Sequence, residues 1–253
     1  MTSLFVVTGA NRGIGLEVVR QLLAANRSIV ATCRSASDGE RALDALGRPP
    51  NVVFRPLDVT DATAVEAFAA TLSGAEIEAL VNNSAVKIDP DSVDSAKLTM
   101  AVNVAGLVNV TRAVLALANV KRVVNVSSEM GKLDRCSAAR KKKITSADTV
   151  DAVLKLSDEF VADLQAGRVI QRESAYAVSK ALVNRATRVF ATEHPAVFWA
   201  ATSPNWCRTD MGTDAAPFSA AHGGASIVHS VLTPTEELGD SGQFFQDGKP
   251  LEW

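Results

Sequence analysis

The segment Leu4-Phe-Val-Val-Thr-Gly-Ala-Asn-Arg-Gly-Ile-Gly15 decides the fold, because a strand, a glycine turn and the start of a helix follow one another directly. Its apolar beginning predicts a buried strand, and the pattern from Leu16 to Leu23 predicts a helix. The three glycines permit a tight turn and a close approach of backbone to a ligand, while the helix points its first amides at that ligand. The turn therefore predicts a pyrophosphate site; a structural corner between strand and helix is the alternative interpretation.

Five further apolar, β-branched runs follow, near residues 28–33, 51–55, 78–82, 121–126 and 196–202, with helical patterns between them. Such runs are typical of strands buried on both faces of a parallel sheet. Strand and helix alternate, and crossovers between parallel strands are right-handed. The sequence thus predicts an α/β, Rossmann-type doubly wound parallel sheet of about seven strands with helices on both faces. Its ligand crevice is expected at the carboxyl ends of the strands.

Length and composition suit one large α/β domain over residues 1–253, since 47% of the residues are hydrophobic. A formal net charge of −2 gives no overall attraction to nucleic acid or to an anionic membrane. No apolar run approaches the roughly 20 residues of a membrane span. The basic run Arg140-Lys-Lys-Lys143 is expected to be a solvated loop.

The three cysteines, Cys33, Cys136 and Cys207, are scattered without the spacing of metal ligands. Their number and spacing indicate neither a disulfide framework nor a metal site, and together with the absence of a leader pattern they favour a reducing, cytoplasmic setting. We expect Cys207 to be a buried, inert thiol.

The segment Ser174-Ala-Tyr-Ala-Val-Ser-Lys180 places a phenol and an ammonium four residues apart, where helical side chains are neighbours. An ammonium held there favours the phenolate, so it should lower the pKa of Tyr176 from its reference value of about 10. Tyr176 is therefore a candidate proton donor and acceptor. The alternative is a surface helix pair without chemistry.

Taken together, the motifs resemble those of the short-chain dehydrogenase/reductase family over nearly the whole chain. Thr8 to Gly15 resembles the cofactor turn of that family, Asp58 its adenine contact and Asn82-Asn83 the motif after its fourth strand. Asn103, Ser128, Tyr176 and Lys180 resemble its catalytic tetrad. The family would have Ser128 donate a hydrogen bond to a substrate carbonyl, which Tyr176 protonates, while Lys180 holds the cofactor ribose and Asn103 positions a water. Ser127 remains an alternative to Ser128.

The resemblance also implies a cofactor, NADP(H). The second strand ends at Arg34, where NAD-binding folds usually offer an acidic residue, and a guanidinium there suits the 2′-phosphate of NADP. Arg12 supplies a second cation. Thr209 resembles the contact to the nicotinamide carboxamide, although it or Asp210 also fits an N-cap before a short helix. The full set of implied contacts is Gly9, Asn11, Arg12, Gly13, Ile14, Gly15, Arg34, Asp58, Val59, Asn82, Ser84, Tyr176, Lys180, Cys207 and Thr209.

Two positions depart from the family pattern. Asn-Asn-Ala-Gly is replaced by Asn82-Asn-Ser-Ala85, and Pro-Gly by Pro204-Asn205. Asparagine is tolerated where φ is positive. Ala85 adds a methyl group where the backbone of the family closely approaches the cofactor ribose, so we expect an effect on cofactor affinity.

An insertion over residues 129–173 separates Ser128 from Tyr176 by 48 positions, far more than is usual in the family. Within it, apolar residues at helical spacing predict an amphipathic helix from Ala147 to Gly167, with Gly167 as its C-cap. The insertion resembles that of the NADPH-dependent carbonyl reductase subfamily, where it covers the surface that other members use for tetramers. This resemblance implies a monomer.

The substrate implied by the subfamily is a small carbonyl compound: a quinone, a diketone, or an aromatic aldehyde or ketone. Met130, Trp206, Met211 and Phe218 are candidates to line an apolar cleft, though they also fit core positions. A pteridine or steroid ketone is an alternative substrate. A non-catalytic NADP(H)-binding sensor or scaffold is an alternative function, and a sugar-nucleotide epimerase is a weaker one.

Overall fold

A nine-stranded sheet runs through the computed structural model, which describes residues 3–89, 91–170 and 173–253. The strands of the protein are β1 (Leu4–Val7), β2 (Ser28–Cys33), β3 (Val52–Pro56), β4 (Glu76–Asn82), β5 (Asn119–Val120), β6 (Arg122–Val126), β7 (Phe198–Ser203), β8 (Cys207–Arg208), β9 (Phe218–Ser219), β10 (Gln243–Gln246) and β11 (Lys249–Pro250). The order in the large sheet is β11-β10-β7-β6-β4-β1-β2-β3, with β5 beside β4, and a separate two-stranded ribbon joins β8 and β9. Neighbours in the large sheet are parallel except β10 and β11.

Helices connect the strands. They are α1 (Gly13–Ala24), α2 (Ala36–Leu46), α3 (Ala62–Ala70), α4 (Val93–Met100), α5 (Leu107–Leu117), α6 (Ala138–Ser146), α7 (Val150–Gln165), α8 (Ala175–Glu193), α9 (Ala220–Leu232) and α10 (Thr235–Leu238). A π-helical segment, Ala101–Gly106, joins α4 to α5, and two 3₁₀ turns, Glu129–Gly131 and Leu133–Arg135, follow β6.

The sheet has a hydrophobic core on each face. Side chains alternate along a strand, so Val6 of β1 belongs to one core while Phe5 and Val7 belong to the other. The first core includes residues of α3, α5, α7 and α8, and the second includes residues of α1 and α9. The predicted doubly wound, Rossmann-type α/β fold is confirmed.

The six strands predicted from apolar runs all form, with ends that shift by a few residues. Sequence reasoning missed β10, whose two phenylalanines are buried between polar glutamines, and the short strands β5 and β11. A seventh parallel strand and these short additions make the observed sheet larger than the predicted one.

The predicted helix of the insertion forms as α7, but it begins at Val150 because the side chain of Thr149 accepts the N–H of Ala152 and caps it there. At the other end Gly167 has φ of 67° and its N–H bonds to the carbonyl of Leu164, as a glycine that ends a helix does. The prediction for Gly167 is confirmed.

The prediction of a solvated loop for the basic run 140–143 is wrong. These residues lie in α6, which Ser137 caps. Lys141, Lys142 and Lys143 are exposed, whereas Arg140 is buried beside two carboxylates. Arg140 and Ile144 are both buried and four residues apart, so they form one inward face of α6.

The expectation that no segment reaches the length of a membrane span is also wrong. The continuous helix Val93–Leu117 has 25 residues and a mean hydropathy of 1.6, and half of its apolar window is buried inside the protein. Its inward residues, including Val104 and Val108, belong to the first core. A core helix of a folded domain meets the same criteria of length and composition, and the packing of this helix is of that kind.

Candidate active site

Ser128 and Tyr176 meet at the carboxyl end of β6. The hydroxyl of Ser128 lies close enough to that of Tyr176 to lower the pKa of the phenol, and it accepts the N–H of Met130 at 3.1 Å. Ser127 points the other way: it is buried and donates to Oδ1 of Asn184 at 2.6 Å. Of the two adjacent serines, Ser128 is therefore the one whose hydroxyl lies in the site.

Helix α8 carries Tyr176 one residue beyond its first position. Ser174 caps the helix by accepting the N–H of Ala177, and a carboxylate oxygen of Asp91 accepts the N–H of Ala175 at 2.9 Å. Both bonds satisfy amides that a helix start leaves unpaired. The phenol is thus presented from a helix end that is fixed on two sides.

Lys180 is buried on the same face of α8, with its Nζ 5.7 Å from the ring centre of Tyr176. Its Nζ donates to the carbonyl of Val126 at 2.7 Å, at the end of β6. Burial lowers the pKa of Lys180 to about 7. The lysine is therefore only partly protonated at neutral pH in the protein without ligands.

The expected low pKa of Tyr176 is wrong for this state of the protein. Burial raises the pKa of Tyr176 to about 12, and the hydrogen bond with Ser128 only partly opposes that rise. The prediction assumed a full ammonium at Lys180, and burial removes much of that charge.

Asn103 lies buried in the π-helical segment and joins the chain after β4 to α8. Its Nδ2 donates to the carbonyl of Val86 and to the hydroxyl of Ser179, and its Oδ1 accepts the N–H of Val86. Ser179 in turn donates to the carbonyl of Tyr176. Both amide hydrogens are occupied, so the side chain of Asn103 ties the chain after β4 to α8.

The glycine turn after β1 has the features of an anion site. Gly9 and Gly13 have φ of 61° and 55°, and a Cβ on Gly15 would lie 2.4 Å from both Nδ2 of Asn83 and the carbonyl oxygen of Gly9. Arg12 precedes α1 without capping it by a side chain. By contrast, side chains cap α2, α3, α4, α6, α7, α8 and α9. The first amides of α1 are left for a ligand, and Asn11 and Ile14 lie in this turn.

Thr8 and Asn83 hold this turn in place, although neither was among the predicted cofactor contacts. The hydroxyl of Thr8 accepts the N–H groups of Asn83 and Ser84, and Nδ2 of Asn83 donates to the carbonyls of Thr8 and Gly9. The signal was present in the motifs Thr8-Gly9 and Asn82-Asn83, which lie at the ends of neighbouring strands.

The side chain of Asn82, one of the predicted cofactor contacts, is turned into the core. This side chain is buried, and its Nδ2 donates to the hydroxyl of Thr111 and to Oδ1 of Asn125, both at 2.8 Å. A buried amide needs such partners. Asn82 therefore joins β4 to β6 and α5, and does not face the groove.

The two departures from the family motifs fit the backbone. Asn205 has φ of 69°, as expected for asparagine in place of glycine, and its Nδ2 donates to the carboxylate of Asp247. Ala85 is not among the non-glycine residues with positive φ in the described parts of the chain. The position accepts alanine without strain in its backbone. The neighbouring Ser84 lies close to Gly9, since a Cβ built on Gly9 would lie 2.8 Å from Oγ of Ser84.

Charged residues flank the turn at the ends of β2 and β3. Arg34 is exposed, and in residues 3–89, 91–170 and 173–253 no ion pair holds it. Asp58 accepts the N–H and the hydroxyl of Thr60, which lowers the pKa of its carboxyl, and the charge of Arg34 adds to this effect. Val59 is buried against Gly106 of the π-helical segment. Arg12 forms an exposed ion pair with Asp210 across the groove.

The segment after β7 lies against the glycine turn that follows β1. The methyl group of Thr209 would lie 3.4 Å from a Cβ on Gly13, and the hydroxyl accepts the N–H of Gly212. The expected short helix after Thr209 is a hydrogen-bonded turn instead, and the next helix is α9, which Ser219 caps. Cys207 is buried, its thiol donates to the carbonyl of Pro204, and burial raises the pKa of that thiol.

The predicted apolar lining is more open than expected. Trp206, Met211 and Phe218 are 55%, 39% and 37% exposed, and Met130 is half-buried. The ring of Phe218 stacks on His222, and the indole N–H of Trp206 donates to the carbonyl of Gly212. These side chains form an apolar surface on the segment between β7 and α9, not the walls of a closed cleft.

Comparison with known proteins shows which family the chain belongs to. Residues 3–139 match the short chain dehydrogenase family. The chain belongs to this family and is an oxidoreductase, which confirms the family resemblance seen in the motifs.

Among its relatives, carbonyl reductase (NADPH) 1 of Sus scrofa is 34% identical over 100% of this chain and 94% of its own length. The (+)-neomenthol dehydrogenase of Arabidopsis thaliana is 31% identical over 95% of this chain and 94% of its own. The structure of salutaridine reductase from Papaver somniferum superposes with a TM-score of 0.85 at 26% identity, covering 96% of this chain and 99% of the other.

The burial of Lys180 and Tyr176 predicts a particular dependence of stability on pH. The folded pKa of Lys180 is about 7 and its unfolded pKa about 10.5, so between these values the unfolded chain binds more protons. The free energy of unfolding should therefore rise from pH 7 to 9.5, by at most about 1.4 kcal/mol per pH unit. Above about pH 10.5 it should fall, because the unfolded chain has then lost both protons while folded Tyr176 keeps its proton up to about 12.

Urea unfolding of the wild type and of Lys180→Met measures this effect. The variant should lose most of the rise between pH 7 and 9.5. The exposed Lys97→Met is the matched control and should keep it. An equal rise in Lys180→Met and wild type would contradict the assignment.

Proposed function

We propose that this protein reduces carbonyl compounds to alcohols with NADPH, and that Tyr176 donates the proton. The observation that carries the proposal is the placement of the hydroxyls of Tyr176 and Ser128 side by side next to buried Lys180, at the strand ends where the uncapped α1 also begins. In a doubly wound sheet this edge is where ligands bind. The NADPH dependence named for a relative with 34% identity over the whole chain supports the same conclusion.

The residues of the groove fit NADP(H). The turn from Gly9 to Gly15 and the first amides of α1 would hold the pyrophosphate, and Asp58 would hold the adenine. Arg34 is free for a 2′-phosphate, with no carboxylate at 33–35 to bind ribose hydroxyls instead. Arg12 would reach the same phosphate by leaving Asp210, and Thr209 would contact the nicotinamide carboxamide.

Bound NADPH supplies the hydride that reduces the carbonyl carbon. Ser128 donates a hydrogen bond to the carbonyl oxygen, and Tyr176 transfers its proton to that oxygen. A pKa of about 12 keeps Tyr176 protonated before the reaction. The ammonium form of Lys180 stabilises the phenolate that the transfer leaves behind.

The substrate class that we propose is a bulky or aromatic carbonyl: a quinone, a diketone or an aromatic aldehyde or ketone. The apolar surface of Trp206, Met211 and Phe218 lies on the segment that also carries Thr209 over the turn. An open apolar surface suits a large, flat substrate better than a small polar one.

We further propose that the protein is a monomer. Helix α7 of the insertion packs on α4 and α8, and its inward residues Val150, Val153 and Phe160 are fully buried. It thereby covers a face of both helices that would otherwise be open to a second subunit. Light scattering at twice the mass of one chain would contradict this.

Reduction of carbonyl compounds is tested by the loss of NADPH absorbance with a panel of quinones, diketones and aldehydes. Tyr176→Phe should lower kcat by at least about 10³-fold, because proton transfer is lost while the fold is kept. Ser128→Ala should also lose most activity. Ser127→Ala, whose hydroxyl bonds only within the core, is the control and should retain far more. Tight NADPH binding without turnover of any substrate would contradict the proposal and favour a sensor.

Cofactor choice is tested at Arg34. Arg34→Asp should raise the KM for NADPH by about 10-fold or more and change the KM for NADH much less, since only NADPH carries the 2′-phosphate. Arg20→Asp, another exposed arginine, on α1, is the control. Equal effects on both cofactors would show that Arg34 does not read the phosphate.

A further inference from the structure

The two ends of the insertion are joined by one buried carboxylate. Glu173 lies at the end of the insertion, and its side chain is 1% exposed. Its Oε1 accepts the backbone N–H of Ser137 at 2.6 Å, across 36 positions of sequence. Ser137 follows the two 3₁₀ turns that begin directly after Ser128. The bond therefore connects the chain that leaves Ser128 with the chain that enters α8.

Arg140 completes this cluster. Its Nε lies 3.2 Å from Oε1 of Glu173, and its Nη2 donates to Asp163 of α7 at 3.2 Å. The guanidinium also lies 4.9 Å from the ring centre of Phe160. One arginine thus contacts α6, α7 and the segment before α8. A buried charge is tolerated only with such partners, so these elements are held in one arrangement.

Glu173 is also charged at neutral pH. Burial raises the pKa of its carboxyl, but the hydrogen bonds from Ser137 and the charge of Arg140 outweigh burial and lower it overall. The cluster therefore persists as an ionic one over the working range of the protein.

The position of Glu173 relative to Tyr176 gives the cluster a consequence for catalysis. Glu173 directly precedes Ser174, the N-cap of α8, and Tyr176 is the second residue of that helix. The 3₁₀ turn after Ser128 packs tightly on the same helix, since a Cβ on Gly131 would lie 2.7 Å from the carbonyl carbon of Lys180. The segments that carry the hydroxyls of Ser128 and Tyr176 are thus connected through Glu173, and this connection sets the spacing of the two groups.

We propose that Glu173 is a positioning residue: held by Ser137 and Arg140, it fixes the first turn of α8 so that the hydroxyl of Tyr176 meets that of Ser128. The inference rests on the proposed reductase function for its kinetic consequence. A misplacement of about 1 Å between reacting groups can cost about 10²-fold in rate. Asp91 also binds the start of α8 by accepting the N–H of Ala175, but it is exposed, so water competes for this hydrogen bond.

The test compares Glu173→Gln with Glu159→Gln. Both remove one negative charge from the insertion, but Glu159 pairs with Lys143 at the surface and does not contact the chain before α8. Glutamine at 173 keeps an acceptor for Ser137 and loses the charge that holds Arg140. We expect kcat of Glu173→Gln to fall about 10-fold or more, with the Kd for NADPH within about twofold of wild type. Glu159→Gln should match wild type.

A double-variant cycle shows whether the effect passes through the tyrosine. In a Tyr176→Phe background, Glu173→Gln should cause no further loss, because there is no hydroxyl left to position. An equal loss in both backgrounds, or a kcat of Glu173→Gln within twofold of wild type, would overturn the proposal.

Tyr176 is the single tyrosine of the chain, so selective isotope labelling gives one tyrosine resonance. This resonance should shift or broaden in Glu173→Gln and stay unchanged in Glu159→Gln. The readout needs no turnover: a shifted resonance in a protein that reduces no carbonyl would reject the proposed function and keep the positioning role. An unchanged resonance with normal kcat would reject the role itself.

If Glu173→Gln does not fold, as judged by circular dichroism, Ser137 offers a second route. Ser137 has φ of −62°, which proline adopts, so Ser137→Pro removes the N–H that Glu173 accepts. Ser137→Ala loses the hydroxyl, which caps α6 and also bonds to Glu173, but it keeps that N–H, so it is the matched control for the N–H alone. The resonance and kcat should change more in the proline variant than in the alanine variant; equal behaviour of the two would overturn the proposal.

Discussion

The burial of Lys180, with Tyr176 half-buried on the same face of α8, is the constraint on which the site depends. Within the described parts of the chain neither side chain is paired with a carboxylate; the lysine donates to the carbonyl of Val126, and the hydroxyl of Ser128 lies beside the phenol. Burial therefore favours the neutral form of both groups. Tyr176 then carries the proton that a carbonyl reduction needs. The ionisation of both groups should change when a ligand brings charge close to them.

The rest of the structure positions that pair. Parallel strands bring the end of β6, which carries Ser128, to the same edge as the glycine turn after β1. Asn103 links this edge to α8 through Ser179, and the insertion holds the start of α8 from the other side. The turn is shaped for a ligand, since α1 is left uncapped while Thr8 and Asn83 fix its geometry.

The sequence could predict the strands, the glycine turn and the pair at 176 and 180, because each of these depends on local spacing. It could not predict properties that depend on tertiary contacts. The sequence predicted Arg140 to be solvated, because only the tertiary structure brings Asp163 and Glu173 beside it. Asn82 reads as a groove residue until its amide is found in the core. The direction of the Tyr176 pKa shift was wrong for the same reason, since spacing gives the neighbour and burial decides its charge.

Tyr176 is a neutral phenol in the free protein, and we propose that charge which a bound cofactor brings near the Tyr176–Lys180 pair changes its ionisation. Because Tyr176 is the only tyrosine, its ionisation can be followed by tyrosinate absorbance or by its single resonance, with and without bound NADP⁺. We expect a pKa near 12 in the free protein, and a clear fall when NADP⁺ is bound, because its positive nicotinamide favours a nearby phenolate. A pKa near 10 in the free protein, or one that the cofactor leaves unchanged, would contradict it.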